Sequence, residues 1–427
     1  MVQVIILFIV LLIIGLPIAY VLGISGLAYL FFAGGNIYLT MVPDKMFSGI
    51  NGFVLLAVPF FMLTGEIMNK AGISERLMRF CNLVVGKVRG GIGYVAILSS
   101  FIFAGISGSA IAEVTALGSV LIPAMEKDGM EKDFSAALIA SASVLGPIIP
   151  PSILAVIYGS MTGVSIGAIF AGAIIPGVLI ALSNAFILFF RAKKHNYPRH
   201  QLSASPREVY DILKEAILAI IMPLIIIGSI LTGVATPTEA AVLAVVYSLI
   251  VSMLIFKSLK FRDLKPLLVK TAKNSTILLI LMGTASIFGW MLAMEQIPQQ
   301  VATGFLSLTS NPQVYLLMVV FLVIFVGTFM EVTAAAILLV PILAPVALSL
   351  GIHPVHFAIV FLIADFIGVV TPPVGVCLFA SCSISKEPIE KVSIALIPFI
   401  IAEITTVIVI ALVPEAVLFI PRLLGLI

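Results

Sequence analysis

The chain has 427 residues, 61% of them hydrophobic and only 10% charged. Soluble domains carry about 25% charged residues, so this balance excludes a water-soluble globule and leaves a polytopic membrane protein. A formal charge of +3 with no acidic or basic tail gives no reason to expect nucleic acid, and the surroundings that fit are membrane lipids.

A bilayer core of ~30 Å takes ~20 apolar residues per helix. The opening "MVQVIILFIVLLIIGLPIAY" has no basic region and no small-residue cleavage site, so it reads as a retained span rather than a signal peptide. Residues 3 to 32 form one apolar run that Gly15 and Pro17 interrupt, which predicts a tilted or broken span. Gly34, Gly35, Asn36 and Pro43 mark a turn cluster, and a second span follows to about Lys70. Residues 70 to 89 mix Lys70, Glu75, Arg76, Arg79, Lys87 and Arg89 with apolar positions, as in a helix lying in the interface.

From Gly90 to Met125 the chain is apolar around a central "Gly105-Ile106-Ser107-Gly108-Ser109". Two short spans or one re-entrant hairpin fit that length; basic residues at both ends favour the hairpin, 91 to 126. Residues 134 to 162 must break at "Gly146-Pro147-Ile148-Ile149-Pro150-Pro151", because proline donates no backbone bond. Residues 166 to 190 return across the membrane, and 195 to 208, with Pro198, Ser203 and Pro206, form the best linker. Residues 212 to 232 give an extra span, "Thr236-Pro237-Thr238-Glu239" caps the next, 239 to 256, and a second basic amphipathic stretch, 257 to 273, leads into a span at 276 to 297. A second hairpin at 313 to 350, a second broken helix at 355 to 384 and a last span at 392 to 413 complete the chain.

The second set echoes the first. "Glu113-Val114-Thr115" and Pro123 recur 218 residues later as "Glu331-Val332-Thr333" and Pro341, while Gly146 to Pro151 recurs after 222 as Gly368 to Pro373. A four-residue difference in loop length is the expected reason for the step. Residues 66 to 91, 124 to 134, 191 to 215, 257 to 273 and 384 to 392 hold 21 of the 23 Lys and Arg, whereas 231 to 236, 296 to 312 and 351 to 354 hold none. The positive-inside rule then places the amino terminus in the cytoplasm and the carboxyl terminus outside, and turns the second copy upside down. The expectation is an all-α polytopic membrane protein of inverted-topology repeats, each with a re-entrant helical hairpin and a broken helix. Secondary transporters are built this way, with their site where the breaks meet at mid-membrane.

Ser107, Ser109 and Thr328 are small hydroxyls at the tips, beside breaks whose free carbonyls suit a cation such as sodium. Close helix packing is the other role open to them. Glu113 and Glu331 are intramembrane carboxylates, with a site role and a structural role equally open, and Asp365 precedes the second break. Glu66, Glu239 and Glu403 lie nearer span ends, where packing or snorkelling is expected. His353 and His356 lack a carboxylate to make a metal site, and Cys81, Cys377 and Cys382 read as apolar fillers. No Walker motif, nucleotide loop or catalytic triad is present, which leaves ion gradients as the energy source and no enzymatic chemistry.

"PFFMLTGEIMNKAGI" (59 to 73), "ISGSAIAEVTALGSVLIPAM" (106 to 125), "GPIIPPS" (146 to 152), "ATPTEAA" (235 to 241) and "GVVTPPVG" (368 to 375) resemble the large membrane subunit of tripartite ATP-independent periplasmic (TRAP) transporters nearly end to end. The resemblance implies an elevator-type member of the ion transporter superfamily in the bacterial inner membrane. It implies sodium-coupled uptake of an organic acid, delivered by a periplasmic substrate-binding protein and assisted by a small four-helix membrane subunit. That subunit is expected to be a separate chain, since this one opens directly in a span. Sialic acid is the favoured cargo and a C4-dicarboxylate the next. The stand-alone alternative is an ion-coupled carboxylate transporter without a binding protein.

Carried onto matching positions, the resemblance places one sodium among Ser107, Ser109, Gly146, Ile149 and Pro151. A second falls among Gly327, Thr328, Met330, Gly368, Thr371 and Val374, and the substrate near Ser109, Thr328 and Asp365. The implied division is scaffold and arm at 1–90, a transport half at 91–190, linker and scaffold at 191–312, a second transport half at 313–413 and a periplasmic tail at 414–427.

Overall fold

A computed structural model describes residues 2–34, 36–199 and 205–427, so Gly35 of the expected turn and residues 200–204 of the expected linker, Ser203 included, lie outside the described residues. Every regular element among those described is a helix. The first run breaks at its Gly-Pro signal into α1 (Val2–Ile13) and α2 (Ile18–Gly34). After α3 (Asn36–Leu39), α4 (Val42–Ile50) starts with Pro43 in its first turn, so this proline opens a helix instead of sitting in a turn. Asn51 and Gly52 interrupt the next stretch before a 3₁₀ turn, Phe53–Leu56, and α5 (Ala57–Lys70). The basic amphipathic helix is α6 (Ile73–Val85).

The first repeat holds α7 (Gly91–Ser107), α8 (Ala110–Lys127), α9 (Lys132–Ala142), the one-turn α10 (Leu145–Ile148), α11 (Ile153–Thr162) and α12 (Ile166–Lys194). Then come α13 (Pro206–Leu231) and α14 (Pro237–Ile250), which opens with a capping box between Thr236 and Glu239 and ends in a wider π-type turn at Val251–Ile255. The second amphipathic stretch and the span after it are one continuous helix, α15 (Phe261–Met294). A short helix, α16 (Ile297–Leu308), occupies what reads as a connection, because Pro298 is tolerated in its first turn.

The second repeat holds α17 (Pro312–Gly327), α18 (Val332–Ser349), α19 (Pro354–Gly368), α20 (Val376–Ser385) and α21 (Ile389–Leu412). Residues 414–427 are not a free tail. They carry α22 (Glu415–Leu423), whose Val417 and Leu418 are buried, Val417 against Gly172 of α12.

The helix bounds correct the repeat register. α8 and α18 are both 18 residues long and start 222 apart, and α9 and α19 also start 222 apart. An offset of 222 therefore runs from the second arm of each hairpin to the proline pair of each break, whereas the first arms start 221 apart and the tip loop is two residues longer in the second copy. The Glu-Val-Thr match at 218 is a coincidence one helical turn out of register. Glu331 corresponds to Ser109, and Glu113 to Ala335.

Seven of the described helices are long and apolar enough to cross a membrane, or eight if the bent pair Lys132–Ile148 and Ile153–Thr162 is one span. The fold is that of an all-α polytopic membrane protein of two inverted repeats, each with a hairpin and a broken helix. A main apolar core joins both repeats, and smaller clusters lie between α2 and α15 (Leu30, Ile287, Met291) and between α5, α14 and α15 (Ile67, Val245, Leu267).

Candidate functional site

Each hairpin turns where its sequence removes the side chain or supplies a cap. Gly108, at φ +58, ends α7 in a left-handed conformation that favours glycine. Ser109 then opens α8, its hydroxyl accepting from the Ala112 amide at 3.4 Å. In the second copy Glu331 takes the equivalent post, accepting from the Ala334 amide at 3.1 Å and from the Thr333 hydroxyl at 2.9 Å.

Both tips rest on the broken helix of their own repeat. A Cβ at Gly108 would lie 3.2 Å from the Pro151 carbonyl oxygen, and one at Gly105 3.4 Å from that of Pro150. In the second copy the Gly375 amide donates to the Thr328 carbonyl at 3.4 Å, and Gly368 packs so tightly on Gly327 that a Cβ would stand 2.6 Å from the Gly327 Cα. Past the breaks, α11 starts at Ser152, which accepts from the Ala155 amide at 3.2 Å, and α20 at Gly375 with φ +51. The Pro150–Pro151 and Pro372–Pro373 bonds are both cis.

Four helix N-termini thus converge on one cavity of about 150 Å³. Its wall includes Ser109, Ala110 and Ile111 of α8, Ile153 and Leu154 of α11, Glu331, Val332 and Thr333 at α18, and Val376 and Cys377 of α20. Ser109 with Glu331, Ala110 with Val332, Ile111 with Thr333, Pro147 with Val369 and Leu154 with Val376 are pairs at the 222 offset. The cavity therefore straddles the pseudo-twofold relation between the repeats. None of its lining residues is Lys, Arg or His. The helix starts direct the positive ends of their dipoles at the cavity, and side chains of Ser109, Ser152 and Glu331 cap three of them, so the Glu331 carboxylate stands in the wall as its one formal charge. Met62 of α5 and Leu278 of α15 close the side facing the first and middle helices.

Beside each tip lies a buried carboxylate. Glu113 is 1% exposed and Asp365 0%; neither oxygen of Asp365 has a hydrogen-bond partner, and the polar side chain beside Glu113 is the Ser100 hydroxyl. Their placement is reciprocal. In the first repeat the carboxylate belongs to the hairpin and meets a glycine of the broken helix, a Cβ at Gly146 standing 2.4 Å from Glu113 Oε2. In the second it belongs to the broken helix and meets a glycine of the hairpin, a Cβ at Gly327 standing 3.4 Å from Asp365 Oδ1. Each junction thus has one acid, supplied by opposite partners. A bare carboxylate at that depth costs several kcal/mol unless a proton or cation accompanies it.

Contacts bring Ser107, Ser109, Gly146 and Pro151 to the first junction and Gly327, Thr328, Gly368 and Thr371 to the second, whereas the Ile149 side chain packs on Gly177 and no contact among the described residues joins Met330 or Val374 to the others. Thr371 Oγ1 donates to the Ile367 carbonyl at 2.7 Å and Thr328 Oγ1 to the Phe325 carbonyl at 2.7 Å, so both hydroxyl oxygens keep lone pairs for another partner. Of the residues expected near substrate, Ser109 lines the cavity, whereas Thr328 and Asp365 are buried outside its lining. Glu331 and Thr333 stand there instead; the correct repeat register would have pointed to Glu331 through Ser109. Glu66 pairs with Lys270 at 2.8 Å and Glu239 caps α14, but Glu403 is fully buried within α21, not near a span end.

Residues 5–416 match the family model described as "Tripartite ATP-independent periplasmic transporter, DctM component". The chain is 37% identical to the sialic acid TRAP transporter large permease protein SiaM of Vibrio cholerae, over 96% of this chain and 95% of that one. It is 34% identical to the C4-dicarboxylate TRAP transporter large permease protein DctM of Rhodobacter capsulatus, over 96% of each. Among solved structures it shares its fold with the YdaH transporter of Alcanivorax borkumensis, with a TM-score of 0.64 at 16% identity, covering 89% of this chain and 88% of that one. With the motifs, the repeat architecture and these matches in agreement, the chain belongs to the DctM component family of tripartite ATP-independent periplasmic transporters, as a large multi-pass permease for organic acids.

Proposed function

We propose that this permease imports an organic acid anion by sodium symport, receiving it from a periplasmic binding protein and working with a small membrane subunit. The observation that carries the ion coupling is the pair of junctions, each with a buried carboxylate that no basic side chain neutralises, set against a glycine beside a hydroxyl-bearing tip. Sodium, as co-substrate, takes oxygen ligands. Ser107, Ser109, Gly146, Ile149 and Pro151 would hold one ion with Glu113 adjacent, and Gly327, Thr328, Met330, Gly368, Thr371 and Val374 the second with Asp365 adjacent. Two cations would offset the acids, Glu331 of the cavity wall included, and add to the dipoles that four helix starts direct into the cavity. The substrate anion then binds with the ions and poorly without them, which is the thermodynamic core of symport.

For the cargo, similarity to sialic acid and C4-dicarboxylate permeases at 37% and 34% identity supports an organic acid and favours sialic acid only slightly. Alternating access is proposed as an elevator, with residues 91–190 and 313–413 moving as the transport half against 1–90 and 191–312. Two inverted repeats with shared tips and one cavity favour that rigid unit. The amino terminus would then be cytoplasmic.

Reconstituted uptake tests the reading. Liposomes holding this chain and the small subunit, supplied with loaded binding protein and an inward sodium gradient, should accumulate substrate. Omitting any one component should abolish uptake. Transport without the binding protein would establish the stand-alone carboxylate transporter, and transport unaffected by dissipating the sodium gradient would remove sodium coupling.

A further inference from the structure

Away from the tips, α9, α12 and α21 bury a second polar cluster. Ser141, Asn184 and Glu403 are each 0% exposed. Ser141 Oγ lies 2.9 Å from Asn184 Oδ1 and 2.5 Å from Glu403 Oε1, while Glu403 Oε2 and Asn184 Nδ2 have no partner. A serine hydroxyl carries one hydrogen, yet here it faces two acceptors.

Two arrangements resolve the count. The Asn184 amide could turn so that its NH₂ donates to Ser141, which leaves an ionised Glu403 with only the Ser141 hydroxyl and the neutral Asn184 amide beside it in a dry interior. Otherwise Glu403 holds a proton and donates to Ser141, which donates in turn to Asn184 Oδ1. No cation is at hand to offset an ionised Glu403. The ionisable groups on the helices packed around α21 are His356 and Asp365 on α19, Tyr315 on α17 and Cys377 and Cys382 on α20, and the Lys and Arg of α9 and α12 stand at helix ends. His356 is already engaged with the Ile410 carbonyl and Tyr315 with that of Leu343. Uncompensated charge in such a place is far costlier than protonation. A metal ion fits badly, because 2.5 Å between oxygens is the spacing of a shared hydrogen.

We propose that Glu403, Ser141 and Asn184 form a proton-binding site where the closing helices of the two repeats meet, distinct from the tip junctions. The bound proton completes the chain Glu403 to Ser141 to Asn184 and fastens α21 to α9 and α12. Deprotonation breaks that chain and leaves a charge between the repeats.

Infrared spectroscopy of the purified chain in lipid tests this without substrate or sodium, so its failure is separate from failure of the symport reading. The parent should show a protonated-carboxyl C=O band that Glu403→Gln removes and that Glu113→Gln and Asp365→Asn leave in place. Ser141→Ala, which deletes the acceptor, should shift that band to higher frequency. The thermal midpoint of the parent should fall as pH rises from mildly acid to alkaline, while that of Glu403→Gln stays flat. If Glu403→Gln does not fold, Ser141→Ala decides through the band shift. Spectra of Ser141→Ala and Glu403→Gln that superimpose on the parent in this region, or equal alkaline sensitivity of parent and Glu403→Gln, would overturn the site.

Discussion

The glycines of the two junctions are closely hemmed in, and they are not equivalent in what surrounds them. A methyl group at Gly368 would meet backbone, at 2.6 Å from Gly327 Cα and 2.8 Å from its carbonyl carbon, whereas one at Gly146 would meet the end of the Glu113 side chain at 2.4 Å. A carboxylate can rotate away and a packed backbone cannot. Gly368→Ala should therefore cost about 1–3 kcal/mol, the usual range for overpacking, and Gly146→Ala less. Gly146→Ala should instead act on the ion, by displacing Glu113: thermal unfolding ranks the stability losses and a sodium titration of uptake reads the second effect. Equal losses in stability would contradict the contact geometry. Ser107, Ser109 and the Gly and Pro residues of both breaks were legible in the sequence, because each residue type does something at a tip or a break that few others can. The register that pairs Ser109 with Glu331 and Glu113 with Ala335 was not, because a three-residue match is too short to fix a register when a helix can slip by one turn.

Helices that show in the sequence are those punctuated by glycine, proline or charge. Hence both hairpins, both breaks and the capping box at Thr236 lie where the residues put them. By contrast α16 and α22, of 12 and 9 residues, are too short to read as spans, and their internal or initial prolines look like loop signals. The join between α8 and α9 shows how an element is fixed at the membrane edge. Glu131 accepts from the Tyr197 hydroxyl, and His195 Nδ1 stands 2.6 Å and Arg191 Nη2 3.6 Å from its Oε1, tying that join to the end of α12. Partial burial pushes the Glu131 carboxyl up, but Tyr197, the residue's own backbone, Arg191 and His195 together outweigh it and hold it below the ordinary value. Its contribution to stability is thus present above the unfolded value of about 4.3 and fades as pH falls through the lower folded value. Glu131→Gln should lower the unfolding midpoint at neutral pH and flatten its acid dependence; thermal scans across the acid range check this, and parallel curves for parent and variant would count against it.

For the molecule as a whole, the proposed motion has a fastening point. A Cβ at Gly52, in the first group of helices, would lie 3.4 Å from Ser160 Oγ of α11, within reach of a disulfide. In a variant lacking Cys81, Cys377 and Cys382, all free and buried, the pair Gly52→Cys and Ser160→Cys should close under oxidation, stop uptake and release it on reduction. Full uptake from the cross-linked form would rule out movement of the transport half past this contact. The strict spacing of 222 has one more use. Neither copy has gained or lost a residue between the start of its hairpin's second arm and the start of its broken helix, so adding 222 to a position in the first half of this region names its twin in the second. Every substitution made in one half comes with a matched control already present in the same polypeptide, under the same lipid, expression level and assay. Where twins respond alike, the effect belongs to the shared architecture. Where they diverge, it marks what each half has acquired for itself since the chain doubled.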